Sequence, residues 1–144
     1  MIARGMGEVP LPSVESGDDV RHIVNATLDK AAPDPEIAAR YFAPEAVTER
    51  AERDAQQRAD DWPNLSRYRE SNISVSNPDT VFIGDSITEI WQLATPEVFG
   101  EKVINRGISG QTSPQILLRF MADVVDLAPR NVHILCGTND IAGN

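Results

Sequence analysis

A serine at the end of a short apolar run is the residue best suited to chemistry in this chain. Residues 81–83 (Val-Phe-Ile) predict a buried strand, Gly84 permits a tight bend, and a helix-like pattern follows over 87–91. A serine on such a turn, here Ser86, stands above the sheet edge, where its hydroxyl can attack a carbonyl carbon. The plainer alternative is a Gly-Asp-Ser turn in which Asp85 caps the helix.

Two later segments also run from apolar residues into glycine and polar residues. One is Val-Ile-Asn-Arg-Gly-Ile-Ser-Gly-Gln-Thr-Ser at 103–113, and the other is Val-His-Ile-Leu-Cys-Gly-Thr-Asn-Asp at 132–140. A long helix is predicted between them, with Ser113 as its cap, Pro114 at its first position and Pro129 as its stop. Its apolar residues recur at helical spacing and are expected to be core: Ile116, Leu117, Phe120, Met121, Val124 and Leu127.

Strands that alternate with helices predict an α/β fold. We expect a flavodoxin-like three-layer α/β/α domain with a partial parallel sheet of about three strands, in the spatial order 2-1-3. The first strand is expected at about 79–84 and the third at about 131–136. The ends of such strands build the site, so the three polar turns should converge.

The three blocks, in this order, resemble the SGNH/GDSL hydrolase family. Gly-Asp-Ser-Ile-Thr (84–88), Asn-Arg-Gly-Ile-Ser-Gly-Gln-Thr (105–112) and Gly-Thr-Asn-Asp (137–140) look most like those of bacterial GDSL-type esterases. The small acetylhydrolases related to the platelet-activating-factor enzyme are the nearest branch. The resemblance runs from about Trp62 to Asn144. It implies a serine ester hydrolase that acts on short acyl groups such as acetyl.

The resemblance also implies roles for individual residues. Ser86 would be the nucleophile, and its backbone N–H, the N–H of Gly110 and the side chain of Asn139 would form the oxyanion hole. Asp85 and Asp140 would support the site.

Each assignment has a structural alternative. Gly107 and Gly110 also suit turns, with Gly107 expected to be a turn residue. Asn139 followed by Asp140 also suits an Asx turn, and Asp85 a helix cap.

A serine nucleophile needs a general base and an orienting carboxylate. In the SGNH family both come from a later Asp-x-x-His block, which neither of the two histidines here belongs to. His22 lies in the polar leader, and His133 is expected to be a half-buried residue of the third strand. We therefore expect a truncated N-terminal portion of an esterase, inactive or weakly active alone; a divergent protein that has lost catalysis is the alternative.

Composition narrows the range of functions. The net charge of −9 argues against nucleic-acid binding, and no apolar run reaches membrane-spanning length. The start lacks the apolar centre of a secretory signal, so a cytoplasmic location is the default expectation. The single cysteine, Cys136, excludes an internal disulfide and is expected to be buried. We expect no metal and no cofactor, and a small-molecule ester as the partner.

The chain divides into three predicted parts. Residues 1–34 are an irregular leader with a short helix considered at 19–30, residues 35–72 are helical with a break at Pro44, and residues 78–144 are the catalytic portion. The helical segment is expected to dock on the catalytic portion through three anchors: Trp62, Leu65 and Tyr68.

Two other functions stay open at this point. A flavodoxin-like phosphate or nucleotide-binding module would hold phosphate with Asp85, Ser86 and Thr88 at a helix N-terminus, although the usual glycine-rich turn is missing. A non-catalytic interaction fragment is the second. The outer edge of the third strand is expected to offer unpaired N–H and C=O groups and so to invite self-association.

Overall fold

The computed structural model describes residues 17–143, and a three-stranded parallel sheet lies at its centre. The strands are β1 (Thr80–Gly84), β2 (Val103–Gly107) and β3 (Asn131–Leu135). β1 lies between β2 and β3 and pairs with both in parallel. The predicted α/β fold and the strand order 2-1-3 are confirmed.

Seven α-helices surround this sheet in the described part of the chain: α1 (Gly17–Leu28), α2 (Pro35–Tyr41), α3 (Pro44–Asp60), α4 (Arg69–Ile73), α5 (Ser86–Ala94), α6 (Ser113–Asp123) and α7 (Thr138–Ala142). The leader predicted as irregular therefore contains α1, close to the short helix considered there; residues 1–16 lie outside the described residues. None of the described helices is long and apolar enough to cross a bilayer.

The two faces of the sheet carry different helices. Val81 and Ile83 are fully buried on one face, where they pack with Ile116 of α6. Because side chains alternate along a strand, Phe82 points to the other face and packs against Trp91 of α5, with 5.4 Å between ring centroids. The sheet is thus the middle of three layers, and burying each large apolar side chain contributes roughly 1.5–3 kcal/mol.

Helix α6 differs from its prediction at both its cap and its apolar face. Thr112 is the N-cap and forms a capping box with Gln115, so Ser113 is the first helical residue instead. Leu117 and Met121, expected in the core, are 72% and 59% exposed. The prediction was wrong for these two side chains because helical spacing shows which residues share an apolar face. It does not show whether another element covers that face.

Cys136, expected to be buried, is exposed. It follows the last residue of β3, and β3 is an edge strand of the described sheet. Val132 and Ile134 on the same strand are 41% and 53% exposed for the same reason.

The docking of the helical segment also differs from expectation. Tyr68 is buried at 2% exposure, but Trp62 and Leu65 are 47% and 39% exposed. At Trp62 it is the backbone that contacts α6, because Gln115 Nε2 donates to the Trp62 carbonyl at 2.8 Å. Burial raises the pKa of Tyr68 to about 12, so its hydroxyl keeps the proton that it donates to the Gly107 carbonyl.

Candidate active site

The chain passes from β1 into α5 through a turn that only glycine permits. A Cβ on Gly84 would lie 2.2 Å from Thr88 Oγ1 and 2.4 Å from the Leu135 carbonyl oxygen. Ser86 is consequently the first residue of α5, at the carboxyl end of the central strand, and is half-buried. This is the strand-to-helix position that the sequence predicts for a nucleophile.

Asp85 caps this helix from beneath the serine. It is fully buried, and its Oδ1 accepts a hydrogen bond from the Ile87 N–H at 3.0 Å. Its Oδ2 has no hydrogen-bond partner among the described residues. Asp85 is therefore the N-cap of α5, as one of the two interpretations of the sequence predicted, and this cap fixes the direction in which α5 leaves β1.

Gly107 is a strand residue and not the turn residue that was expected. A Cβ on Gly107 would lie 2.2 Å from the backbone nitrogen of Glu89, so α5 rests directly on the end of β2. The Ile108 N–H then donates to the Gly84 carbonyl at 3.0 Å. The loop after β2 is thereby held against the end of β1.

Gln111 fixes the loop immediately after Gly110. Its side-chain nitrogen donates to the Pro63 carbonyl at 2.8 Å, and its side-chain oxygen accepts from Arg119 Nε at 2.5 Å. Gly110 itself has φ +76°, in the left-handed region that favours glycine, and a Cβ there would meet open space. Glycine is thus favoured at Gly110 by its backbone conformation and not by crowding.

Glu89 is a buried carboxylate on α5 that the sequence reasoning missed. It is 7% exposed, and its Oε2 accepts hydrogen bonds from the N–H and hydroxyl of Ser109 at 2.7 and 2.5 Å. Its Oε1 pairs with Arg67 at 3.2 Å. The one available signal was an acidic residue within an otherwise apolar helix face.

Arg119, also missed, lies fully buried on α6 beneath the strand ends. Its Nη2 donates to the Gly84 carbonyl at 3.0 Å and its Nη1 to the Arg106 carbonyl at 2.7 Å. Burial lowers the pKa of Arg119, and the partner that opposes this effect is Asp123, 3.0 Å away. One guanidinium therefore ties the ends of β1 and β2 together.

Helix α7, which follows β3, is bound to the segment after β2. Asn139 Nδ2 donates to the Gln111 carbonyl at 2.9 Å. Asp140 accepts from the Ser113 N–H at 2.9 Å and from the Ser113 hydroxyl at 2.5 Å. The hydroxyl bond is the main cause of a lowered pKa for the Asp140 carboxyl.

Ser86, Gly110 and Asn139 thus lie on the three segments that follow the carboxyl ends of β1, β2 and β3: Ser86 at the start of α5, Gly110 in the loop after β2, and Asn139 in α7. The register brings the strand ends together, with Gly84 opposite Gly107 on one side and Leu135 on the other. Asn139 contacts Gln111, the residue that follows Gly110. Asp140, the next residue of α7, instead contacts Ser113 at the start of α6.

Neither histidine reaches this edge. His22 Nε2 accepts a hydrogen bond from the Asp34 N–H at 2.8 Å within the leader. His133 is half-buried in β3 and stacks on Phe82, with 4.8 Å between ring centroids. Within residues 17–143 no group of three or more His, Cys, Asp or Glu side chains could hold a metal ion.

Solved structures of other proteins share this fold. A protein of Bacteroides fragilis proposed to be an acylhydrolase superposes with a TM-score of 0.54 at 48% identity, over 57% of this chain and 42% of that one. A GDSL-like lipase of Bacteroides thetaiotaomicron gives a TM-score of 0.54 at 44% identity, over 57% and 43%. An uncharacterised lipoprotein of Bacillus subtilis, YqeF, is 44% identical over 50 residues, which are 35% of this chain and 21% of that protein.

The chain therefore spans less than half the length of both crystal structures and about a fifth (21%) of the lipoprotein. No family model matches it. The parallel sheet, the strand order and the two crystal structures agree with the resemblance carried by the three sequence blocks. The chain therefore resembles GDSL-like lipases and acylhydrolases and carries part of the SGNH/GDSL hydrolase fold.

Proposed function

We propose that this chain supplies the nucleophile and the oxyanion hole of a serine ester hydrolase that acts on short acyl groups such as acetyl. Ser86 Oγ would attack the ester carbonyl carbon and lose its proton to a general base. The bond to the alcohol oxygen would then break, leaving an acyl group on Ser86 that water removes as a carboxylic acid. The observation that supports the proposal is the alignment of the three strand ends that precede Ser86, Gly110 and Asn139, together with the bond from the Asn139 amide to the residue after Gly110.

The oxyanion hole would consist of the Ser86 and Gly110 N–H groups and the Asn139 amide. Ser86 begins α5, and the first N–H groups of a helix have no partner within the helix. The bond from Asn139 to the Gln111 carbonyl orients the amide beside Gly110. In serine hydrolases, removing one such donor costs roughly 3–4 kcal/mol of transition-state stabilisation.

The general base is not among the residues at this edge, because both histidines are held elsewhere. In the family it comes from an Asp-x-x-His block, and we propose the same source in the complete enzyme. Without a base the Ser86 hydroxyl loses its proton inefficiently, so we expect acylation of Ser86 in this chain to be slow.

The phosphate-binding alternative is less well supported by this geometry. The buried carboxylate of Asp85 already accepts from the Ile87 N–H at the start of α5, where a phosphate would bind. A second negative charge beside it is unfavourable.

Hydrolysis of p-nitrophenyl acetate tests the proposal. We expect the chain alone to turn over weakly, and Ser86→Ala to remove that activity, while Ser76→Ala, an exposed serine before β1, leaves it unchanged. Robust turnover that persists in Ser86→Ala would overturn the assignment of the nucleophile.

A further inference from the structure

An open groove of about 650 Å³ runs beside Ser86 between α1 and α5. We call it the α1/α5 groove. Ser86 lies at one end, and the α5 wall continues through Ile87, Ile90, Trp91 and Ala94. A helix rises 1.5 Å per residue, so the nine residues of α5 give the groove a length of about 13 Å.

The walls of this groove are apolar. Leu28 on α1 is 56% exposed, and Ile87 and Trp91 on α5 are 49% and 38% exposed. Among the described residues that line the groove, none is Lys or Arg, and Asp29 is the charged one. Such a surface favours an uncharged aliphatic group and offers an anion no partner.

The α1 wall is held in place by contacts with other helices. Val20 and Ala26 are buried at 8% and 9% exposure. Asp19 accepts two hydrogen bonds from Arg40 of α2, at 2.7 and 2.9 Å. A wall fixed by both packing and a bidentate ion pair gives a preformed site, which lowers the ordering cost of binding.

We propose that the α1/α5 groove binds a linear aliphatic arm of the ester whose carbonyl group lies at Ser86. The proposal rests on the proposed function, because it is the nucleophile at the end of the groove that identifies the occupant as a substrate. Because the proposed acyl group is short, the arm belongs to the alcohol part of the ester, and the experiment compares a long alcohol with a long acyl chain.

Trp91 provides a readout that needs no catalysis. The chain has two tryptophans, so Trp62→Phe leaves Trp91 as the one reporter, and Ser86→Ala prevents turnover. In this double variant we would titrate octyl acetate, which has a long alcohol, ethyl octanoate, which has a long acyl chain, and ethyl acetate, which has neither. We expect a saturable blue shift with octyl acetate, and Kd falling about two- to fourfold per added methylene between butyl and octyl acetate. Tighter binding of ethyl octanoate than of octyl acetate would reject the assignment of the arm to the alcohol.

Three variants in this background show where the ligand binds. Leu28→Glu should weaken octyl ester binding at least tenfold, whereas Asn25→Leu, which extends the apolar wall, should tighten it. Leu117→Glu, on the exposed face of α6, is the matched control and should bind like the parent. Because Asn25→Leu predicts a gain, loss of folding cannot imitate it.

No saturable shift, no dependence on chain length, or equal weakening by Leu28→Glu and Leu117→Glu would overturn the groove assignment. Activity that depends on Ser86 without groove binding would leave the proposed function standing and reject the groove. Groove binding without such activity would reject the function alone.

Discussion

Glu89 Oε2 accepts hydrogen bonds from both the backbone N–H and the hydroxyl of Ser109, at 2.7 and 2.5 Å. Glu89 lies about one turn after Ser86 on the same helix, and Ser109 precedes Gly110 in the loop after β2. The proposed nucleophile and the proposed oxyanion donor are thus joined through one buried carboxylate. The position of the loop that carries Gly110 therefore depends on α5, the helix that carries Ser86.

Replacing Glu89 by alanine should destabilise the fold. The change leaves the Ser109 donors and the largely buried Arg67 without their acceptor, and we expect the free energy of unfolding to fall by about 2–4 kcal/mol in urea titrations. Glu49→Ala is the matched control, because Glu49 pairs with Arg53 at the same 3.2 Å but is 57% exposed. It should change the free energy by less than about 0.5 kcal/mol. Equal effects would show that the Glu89 contacts do not stabilise the structure.

Part of this architecture follows from local sequence. The Gly84-Asp85-Ser86 turn and the three strands are determined by residues that are adjacent in the sequence. Arg119 could not be placed in this way, because its partners on β1, β2 and the Gln111 loop are distant in sequence. The spacing of the apolar residues of α6 likewise identified an apolar face, but not whether another element packs on all of it. Leu117 was therefore predicted in the core, whereas it is exposed.

Gly107→Ala should disrupt the contact between α5 and β2. The added methyl group would meet the Glu89 backbone nitrogen at 2.2 Å, and neither backbone segment can move without breaking the sheet or the helix. We expect a loss of about 3 kcal/mol or more in the free energy of unfolding. Gly100→Ala, where a Cβ meets nothing within 4 Å, should be neutral or slightly stabilising. Similar urea midpoints for the two variants would contradict this packing.

The contact between Asp140 and Ser113 should make stability dependent on acid pH. The pKa of Asp140 is lowered from 3.8 in the folded protein, chiefly by the Ser113 hydroxyl. A carboxyl group whose pKa is lower in the folded than in the unfolded state stabilises the folded protein at pH values above its unfolded-state pKa. This stabilisation is lost as the pH falls through the folded-state pKa. Urea midpoints of wild type and Asp140→Asn should therefore differ at pH 7 and converge below pH 3.8.

Ser113→Ala serves as the partner variant for that titration. It removes the hydroxyl donor and keeps the backbone N–H donor, so its pH profile should lie between those of wild type and Asp140→Asn. In the Asp140→Asn background, Ser113→Ala should add little. Additive effects would mean that the two side chains act separately.

We also propose that the exposed edge of β3 promotes self-association of the chain. Val132 and Ile134 are 41% and 53% exposed on this strand, and Leu117 and Met121 expose further apolar surface on α6. In size-exclusion chromatography with light scattering we expect oligomers, and Ile134→Lys should shift them toward monomer because a charged edge strand resists pairing. A sharp monomer peak for the unmodified chain would refute the proposal.

Covalent labelling with a fluorophosphonate, followed by peptide mass spectrometry, tests the central claim most directly. The account predicts slow labelling of a single serine, Ser86, which begins α5 at the end of the central strand. The hydroxyls of Ser109 and Ser113, by contrast, donate to the carboxylates of Glu89 and Asp140. Ser86→Ala should take up no label, and Ser76→Ala should label like the unmodified chain. A label on Ser109 or Ser113, with Ser86 unmodified, would contradict the account.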